Sequence, residues 1–498
     1  MKFLLCLLTL VSAFFPVSAQ VFSVDIDPSD PPEGIFSEEW SEMYINGDKV
    51  GYTHTILKRR GDEIITMEDS FMNMGRGPTS ITTISTTHTK ESVDGTPISI
   101  LDVTREGDRT KTQNIQFSPE GATIEVNDGA RAWTREITLD PGFVLSWSFL
   151  LELVKQDLRP GEEFEAHIYV PDIVLDQTLP ITTKYIGEEE ISIRGETHQA
   201  IKIEQTLRLV FLPLKLSVWI NHEGKLLLME MPIGGMDITL IGSTEEQAKA
   251  SFSPPDFFTD TLIPLNRSIP ENASTVTFTL HPHGESMPDI PDTAYQSVVK
   301  NDDGTASVTV RRGELRFTEP SAVDPAYLEA TPLVDFEDPA ILNLVNQADL
   351  ENLSQAEKVR KLVEIADNAI AIKSMDLGFA TASETVKLSE GDCTEHALLL
   401  TALGRAAGIP TRGASGVVYF PLAPDQPVMG YHMWAQIWNG SEWLDVDAAF
   451  GSAETAPIRI LYSTTDLSDP TLSEDVLTIA QFLGQTTIEV VDVTTPEN

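Results

Sequence analysis

Residues 389–412 read SEGDCTEHALLLTALGRAAGIPTR, and this stretch predicts a helix that begins at a cysteine. Asp392 is a preferred residue type for the N-cap, which makes Cys393 the first helical residue. The run that follows contains no proline and no β-branched series, and Gly408 followed by Pro410 ends it. Free backbone N–H groups at a helix start can stabilise an oxyanion on a carbonyl that the sulfur attacks. The position is therefore one where a nucleophilic thiol is expected.

The thiol of Cys393 has no partner for an internal disulfide once the amino-terminal segment is removed. Residues 1–19 read MKFLLCLLTLVSAFFPVSA, with Lys2 before an apolar run and small residues at its end. This is the pattern of a secretory signal peptide, and Cys6, the other cysteine, leaves with it. A membrane anchor is the less favoured alternative, because the apolar run is shorter than the ~20 residues that span a bilayer. We therefore expect an exported protein, periplasmic or extracellular.

A lone cysteine in an exported chain indicates a reactive thiol or an intermolecular disulfide. The alternative is a buried, inert cysteine that acts as a small apolar side chain. His396, three residues after Cys393, should lean along the helix, so we expect it to pack or support rather than to serve as the base. A nucleophilic thiol needs another histidine within hydrogen-bond reach, and a group that orients it.

The stretch YHMWAQIWNGSEWLDVDAAF (431–450) supplies such a histidine and its orienting group. Its Asn-Gly pair at 439–440 predicts a hairpin with a two-residue loop, in which His432 faces Asp447 directly. A longer turn would leave Asp447 diagonal to His432, with Asp445 as the alternative orienting carboxylate. The alternative without a catalytic function is a surface His–Asp pair on an ordinary hairpin. We predict the first arrangement, because a helix-capping thiol lies in the same region.

The two faces of this hairpin differ in character. One face is predicted to be core, and it carries Met433, Ala435, Ile437, Leu444 and Val446. The other is predicted to line a polar, aromatic cleft, and beside His432 it carries Trp434, Gln436, Trp443 and Asp445.

The three blocks GDCTEHALLLTALGRAAGIPTR, YHMWAQIW and WLDVDAAF resemble the bacterial transglutaminase-like superfamily. Its pattern runs G-x-C-x-E-x-A, A-x-G-I-P-x-R, H-x-W and W-x-x-x-D, and the resemblance covers roughly residues 340–460. It implies a papain-like α+β domain whose cysteine helix packs against an antiparallel sheet. It also implies Cys393 as nucleophile, His432 as general acid and base, and Asp447 as orienter. Only the backbone N–H of Cys393 is assigned as an oxyanion donor. The family's frequent D-P-T ending is replaced here by Asp-Ala-Ala at 447–449.

The rest of the chain predicts β structure. From residue 37 to 248, strand-like runs alternate with turn residues, beginning with a hairpin at Asn46-Gly47 and interrupted by one helix near 146–156. This pattern predicts one large, mostly antiparallel domain, or two smaller ones in series. Further runs at 274–280 and 305–317 predict a small β unit.

The predicted fold class is therefore multidomain, with an antiparallel β-rich region followed by an α+β papain-like, transglutaminase-like domain. The predicted segments are a signal peptide at 1–19, a polar linker at 20–36, a β-rich domain at 37–248, a linker and small β unit at 249–335, the transglutaminase-like domain at 336–465 and a C-terminal extension at 466–498.

Composition limits the partners. The chain of 498 residues carries 34 basic and 76 acidic residues, a net charge of −42, which argues against nucleic acid and anionic membranes. We find no phosphate loop, haem motif or closed zinc ligand set, and predict no cofactor. His281 and His283 lack a third ligand nearby, so a strand-end turn is favoured over a metal site. No later segment is apolar enough to span a membrane, and the oligomeric state stays open.

The expected function is cysteine-dependent acyl transfer or hydrolysis on protein or peptide amides through a thioester. Whether the acceptor is an amine or water separates a transglutaminase from a deamidase or cysteine peptidase, and that choice stays open. The alternative is an extracytoplasmic binding or assembly module whose transglutaminase-like domain is vestigial.

Overall fold

The computed structural model describes residues 27–76, 79–106, 109–127, 132–156, 158–171, 173–209, 213–233, 236–256, 261–283, 287, 289–319, 321–373, 380–468, 482 and 486–496. The predicted signal peptide at 1–19 lies outside these residues. The chain divides into two compact units, Met1–Phe257 and Phe258–Asn498.

The first unit is built on one sheet of fourteen strands in the described residues, and every neighbouring pair is antiparallel. The strands are β1 (Gly34–Ile45), β2 (Asp48–Arg60), β3 (Glu63–Arg76), β4 (Thr79–Ser92), β5 (Pro97–Glu106), β6 (Arg109–Ser118), β7 (Gly121–Asn127), β8 (Ala132–Thr138), β9 (Glu163–Ile168), β10 (Leu179–Ile193), β11 (Glu196–Arg208), β12 (Pro213–Ile220), β13 (Leu226–Ile233) and β14 (Met236–Ser243). Strands β1 to β8 form one meander and β9 to β14 another, joined where β1 pairs with β14. The predicted antiparallel β-rich region is confirmed, and its strands form a single sheet rather than two.

Local sequence accounts for the first hairpin of this sheet. Ile45 pairs with Asp48, so Asn46 and Gly47 form a two-residue loop, as predicted. Their φ angles are 51° and 87°, and glycine and asparagine tolerate such values better than other residues. The loop thus sets the register of the first two strands.

A helix, α1 (Ser146–Lys155), packs on this sheet where the sequence predicts its one helical interruption. Trp147, Phe149 and Leu150 are buried between the helix and the strands. Glu91 of β4 closes the helix start, because its carboxylate accepts the backbone N–H groups of Trp147 and Ser148. A short helix, α2 (Glu245–Ala248), follows the last strand of the sheet.

The second unit contains a five-stranded and a four-stranded antiparallel sheet in its described part. The first holds β15 (Ile263–Pro264), β21 (Thr411–Ala423), β22 (Gln426–Trp438), β23 (Trp443–Val446) and β24 (Arg459–Thr465), and the second holds β16 (Thr275–Pro282), β17 (Gln296–Lys300), β18 (Ala306–Arg311) and β25 (Thr486–Thr494). A two-residue parallel pair joins β19 (Ile372–Lys373) to β20 (Glu390–Gly391). The helices are α3 (Pro339–Gln347), α4 (Gln355–Ala369), α5 (Ala382–Leu388) and α6 (Cys393–Ala406), and a 3₁₀ turn spans Pro325–Leu328.

Helix α6 lies at the centre of this unit. It contacts α3, α4 and α5, and it packs along β22. Because strand residues alternate between faces, one side of the β22–β23 hairpin meets the helices. The residues on that side are all buried, and they are Met433, Ala435, Ile437, Leu444 and Val446. The predicted core face is confirmed, and the arrangement is a cysteine helix on an antiparallel sheet.

The four-stranded sheet is completed from the carboxyl end of the chain. Its strand order is β17-β18-β16-β25, so a strand from the region 466–498 pairs with one that begins at Thr275. Phe278 and Val308 of this sheet share a core with Val417 and Ile460 of the larger sheet.

Candidate active site

The start of α6 is held by reciprocal side-chain bonds. Asp392 is the N-cap, and its carboxylate accepts the backbone N–H of Thr394 at 2.7 Å. The Glu395 carboxylate accepts the backbone N–H of Asp392 at 3.0 Å, which completes a capping box. Cys393 is the first residue of the helix, as predicted, and its side chain is partly exposed.

Glu395 is fully buried and also fixes the segment before the helix. Its Oε1 accepts the backbone N–H of Ala380 at 3.3 Å. Gly391 leaves room for this side chain, since a Cβ at that position would lie 2.4 Å from the Cβ of Glu395. The spacing Gly-x-Cys-x-Glu thus has a packing reason, because the glycine admits the carboxylate that anchors the thiol's helix.

His396 serves the helix rather than the thiol. Its Nδ1 donates to the Asp392 carbonyl across 2.6 Å, so the proton of the neutral ring sits on Nδ1. Burial lowers the pKa of His396, and the bond to Asp392 partly offsets this. This agrees with the expected packing role.

The structure brings Cys393, His432 and Asp447 together. The imidazole Nε2 of His432 lies 2.7 Å from Oδ2 of Asp447. The Cys393 side chain hydrogen-bonds to the same imidazole, and the bond to Asp447 leaves Nδ1 for it. His432 and Asp447 are 4% and 3% exposed, so water competes little for their bond.

The predicted register of the hairpin was wrong. Trp438 pairs with Trp443, so the loop holds four residues rather than two. Asn439 causes the difference, because its Oδ1 accepts the backbone N–H groups of Ser441 and Glu442, both at 2.9 Å. Its Nδ2 donates to the carbonyl of Arg316 at 2.8 Å, which holds the loop from outside.

Asp447 consequently lies diagonal to His432 and still reaches its imidazole. Asp445, the alternative orienter, is engaged elsewhere, since its Oδ1 accepts Trp434 Nε1 at 2.8 Å and Gln436 Nε2 at 2.7 Å. Trp434 is almost fully buried, so this part of the predicted cleft is filled rather than open.

The Asp447 carboxylate is bonded on both oxygens. Oδ1 accepts the backbone N–H groups of Ala449 at 3.1 Å and Phe450 at 3.4 Å. Oδ2 accepts His432 and also Arg459, whose Nε and Nη2 lie at 3.1 and 2.5 Å. The turn that begins at Asp447 therefore fixes its own carboxylate through the backbone N–H groups of Ala449 and Phe450.

Comparison with known proteins identifies the domain that carries most of these residues. Residues 343–448 match the transglutaminase-like superfamily. This segment is a transglutaminase-like domain. No curated protein matches the chain.

Two similar solved structures each cover less than half of this chain. A candidate cysteine protease from Cytophaga hutchinsonii is 15% identical, with 47% of this chain and 86% of that chain covered and a TM-score of 0.29. A β-barrel-like protein of a domain family of unknown function, from Brucella abortus, is 10% identical, with 42% and 95% covered and a TM-score of 0.32. TM-scores this low support no conclusion about the reaction.

Charge and burial set the protonation of the transglutaminase-like site. Burial would raise the pKa of Asp447, but attraction to His432 and Arg459 holds it well below its usual range. Burial would lower the pKa of His432, but Asp447 and the bond to Cys393 raise it to about 9. His432 therefore carries a proton at neutral pH and presents it beside the thiol.

Two neighbours of the site were not predicted. Arg459 of β24 lies outside the family motifs, and the only signal was an arginine within the apolar run PIRILY. Phe450 is 47% exposed, and its ring stands edge-on to the His432 imidazole, with centroids 5.1 Å apart.

In the described parts of the chain, no group of three or more histidine, cysteine or carboxylate side chains could hold a metal ion. His283 Nε2 bonds to Thr487 Oγ1 at 2.7 Å, and His281 lies 3.8 Å from Glu489. A search of the described helices finds none that is long and apolar enough to span a membrane.

Proposed function

We propose that the transglutaminase-like domain, residues 336–465, is a cysteine-dependent catalyst that transfers or hydrolyses acyl groups of protein or peptide amides. The observation that carries the proposal is the hydrogen-bonded series Cys393–His432–Asp447, with a partly exposed cysteine at a helix start. A thiol, a charged imidazole beside it and a buried carboxylate behind the imidazole are what thioester chemistry needs.

In the first step the Cys393 sulfur attacks the amide carbonyl carbon. The carbonyl oxygen becomes negative, and the backbone N–H of Cys393 at the helix start is the candidate donor to it. The carbon–nitrogen bond then breaks, the amine leaves with a proton from His432, and a thioester remains. Asp447 keeps the ring oriented during this transfer.

The acceptor of the acyl group decides the name of the reaction. When water attacks the thioester, His432 takes its proton and the sulfur leaves, which is deamidation for a glutamine donor and proteolysis for a peptide bond. When an amine attacks, the product is a new amide. All three reactions use the same three side chains, so the site supports the common chemistry and assays must separate the outcomes.

The first test is alkylation of Cys393 by iodoacetamide at neutral pH, followed by mass spectrometry. We expect the wild-type thiol to react at least about tenfold faster than in His432→Ala, because the imidazolium stabilises the reacting thiolate. Equal rates in the two proteins would remove the basis of the proposal.

Substrate assays then separate the reactions. They are incorporation of a fluorescent primary amine into dimethylcasein, ammonia release from glutamine peptides, and cleavage of a peptide mixture read by mass spectrometry. Cys393→Ser is the matched control for each, since it keeps the shape of the site and removes the sulfur.

A second role, recognition or assembly outside the cytoplasm, draws support from the size of the fourteen-stranded unit, which lies within Met1–Phe257. Partner capture that survives Cys393→Ser would favour it. Export itself is proposed from residues 1–19. Intact mass of the protein recovered outside the cytoplasm tests it, with Gln20 expected as the first residue.

A further inference from the structure

Arg459 contacts the Asp447 carboxylate from a strand that does not neighbour the hairpin of His432 and Asp447. It lies on β24, which is separated from β22 and His432 by β21. Its Nε and Nη2 contact Oδ2 of Asp447 at 3.1 and 2.5 Å, and the same oxygen accepts His432 Nε2 at 2.7 Å. One buried carboxylate oxygen thus serves two cations.

The contact between Arg459 and Asp447 is specific, because another buried arginine of this unit has different partners. Arg459 is 3% exposed, and a charge so far from water is retained only where an opposite charge or hydrogen-bond acceptors satisfy it. Arg405 is equally buried in the same unit, yet its guanidinium bonds to backbone carbonyls, those of Glu329, Thr411 and Asp466. Arg459 is directed instead at the carboxylate that orients His432.

Because Arg459 and His432 share the Asp447 carboxylate, Arg459 affects how readily His432 releases its proton. Asp447 attracts the imidazolium of His432, and a second cation on the same oxygen weakens that attraction. Without Arg459, Asp447 would hold the His432 imidazolium more tightly, and the ring would release its proton less readily to a leaving amine. Among the residues that the structure describes, the charged and titratable groups around His432 are Cys393 and His396 of α6, Asp445 of β23, Asp447 and Arg459.

We propose that Arg459 is a positioning residue of the transglutaminase-like site, which acts through Asp447 to orient His432 and to keep its imidazolium able to give up a proton. This inference rests on the proposed function. It concerns the step in which the sulfur–carbon bond forms, the carbon–nitrogen bond breaks and the proton of His432 moves to the departing nitrogen.

The test is an NMR titration of His432 in the full chain, with labelled histidine and the His432→Gln spectrum for assignment. We expect Arg459→Met to raise the titration midpoint of His432 by about one pH unit or more. Arg459→Lys should raise it less, since one amine keeps the charge but cannot donate twice to Oδ2. An unchanged or lowered midpoint in a folded Arg459→Met protein overturns the proposal.

Arg412→Met is the matched control, because it removes the same charge from the same sheet. Arg412 donates to Gln436 and stacks on Trp443, and it does not contact Asp447, so the midpoint of His432 should stay where it is. If Arg459→Met does not fold, Arg459→Lys decides, and an unchanged midpoint in that variant overturns the proposal.

A second readout separates this inference from the proposed function. For an acyl donor that the wild type turns over, Arg459→Lys should slow the amide more than the matching ester, because the amine leaves only with a proton. Equal slowing of both indicates a structural role alone and overturns the proposal. If the wild type turns over no donor, the proposed function fails, while the titration still tests the link from Arg459 to His432.

Discussion

Oδ2 of Asp447 accepts the imidazole N–H of His432 at 2.7 Å, although the two residues lie diagonally on their hairpin and do not pair across it. The turn after β23 makes this possible, since the backbone N–H groups of Ala449 and Phe450 bind Oδ1 and leave Oδ2 facing the ring. The carboxylate is held from three directions and cannot rotate without breaking other bonds. Its orientation is therefore built into the fold before substrate arrives.

Asp447→Asn should lower the alkylation rate of Cys393 at neutral pH by on the order of 100-fold. The amide of asparagine has only one acceptor oxygen, so it cannot bind both the turn and the imidazole, and the imidazole loses its orientation. The measurement is the rate of iodoacetamide labelling under pseudo-first-order conditions. Asp445→Asn is the control, since Asp445 lies on the same face and bonds to Trp434 and Gln436 instead. Similar losses in both variants would contradict a specific role for Asp447.

Stability of the second unit should depend on the charge of His432. The pKa of His432 is raised from 6.5 to about 9 in the folded state, so folding favours the protonated ring. The stability that this provides is fully present below about pH 6.5 and is lost as the pH rises through about 9.

Urea unfolding followed by tryptophan fluorescence, in the wild type and in His432→Gln, measures this dependence. The wild type should lose more stability than His432→Gln between those two pH values, so the difference between the proteins should shrink. A difference that stays constant with pH would show that the charge of His432 is not coupled to folding.

Glu91→Gln should destabilise the first unit by about 1–3 kcal/mol, because a buried carboxylate at a helix start would be replaced by a group with one acceptor. Glu91 accepts the backbone N–H of Trp147 at 2.6 Å, and the N–H and hydroxyl of Ser148 at 2.9 and 2.6 Å. Urea unfolding followed by far-UV circular dichroism and tryptophan fluorescence, compared between variant and wild type, gives the change. Glu125→Gln on the sheet surface is the control and should stay within about 0.5 kcal/mol of the wild type.

The Glu91→Gln effect should also change with pH. Burial raises the pKa of Glu91 to about 7, and the bonds from Ser148 and Trp147 oppose this only in part. Folding then favours the protonated acid, and its contribution is present below about pH 4.5 and lost as the pH rises through about 7. The penalty of the variant should therefore be larger at low than at neutral pH. Glu39, whose pKa burial also raises to about 7, is present in both proteins and cancels in the comparison.

The features that sequence alone predicted are those fixed by nearby residues. The start of α6 follows from Asp392, and its end from Gly408 and Pro410, all within one segment. The loop at Asn46-Gly47 follows from backbone angles that these two residues tolerate. Such signals need no knowledge of the rest of the fold.

The features that sequence missed depend on distant partners. The second Asn-Gly pair forms a longer loop because Asn439 bonds to the carbonyl of Arg316, more than a hundred residues earlier. Arg459 meets Asp447 because β24 lies beside β21, and no local pattern encodes that pairing. Strand β25 pairs with β16 across about two hundred residues, which is equally invisible in a local reading.

Asn439→Ala should destabilise the second unit by about 1–3 kcal/mol, because it leaves the Arg316 carbonyl and two backbone N–H groups of the loop without their partner. Asn439→Asp should cost at least as much, since it keeps the acceptor but sets a buried carboxylate oxygen against the Arg316 carbonyl. Ser441→Ala is the control, because its hydroxyl bonds only to Asn439 Oδ1 at 3.2 Å. Urea unfolding followed by the fluorescence of Trp438 and Trp443 ranks the three variants.

The same Asn439→Ala protein tests how the Asp447 carboxylate is held. Asp447 bonds to Arg459 and to its own turn, so a weakened loop should leave its contact with His432 largely in place. Alkylation of Cys393 in the folded variant should then fall by less than about tenfold, far less than in Asp447→Asn. A loss as large as that of Asp447→Asn would mean that the loop, and not Arg459 with the turn, aligns the carboxylate.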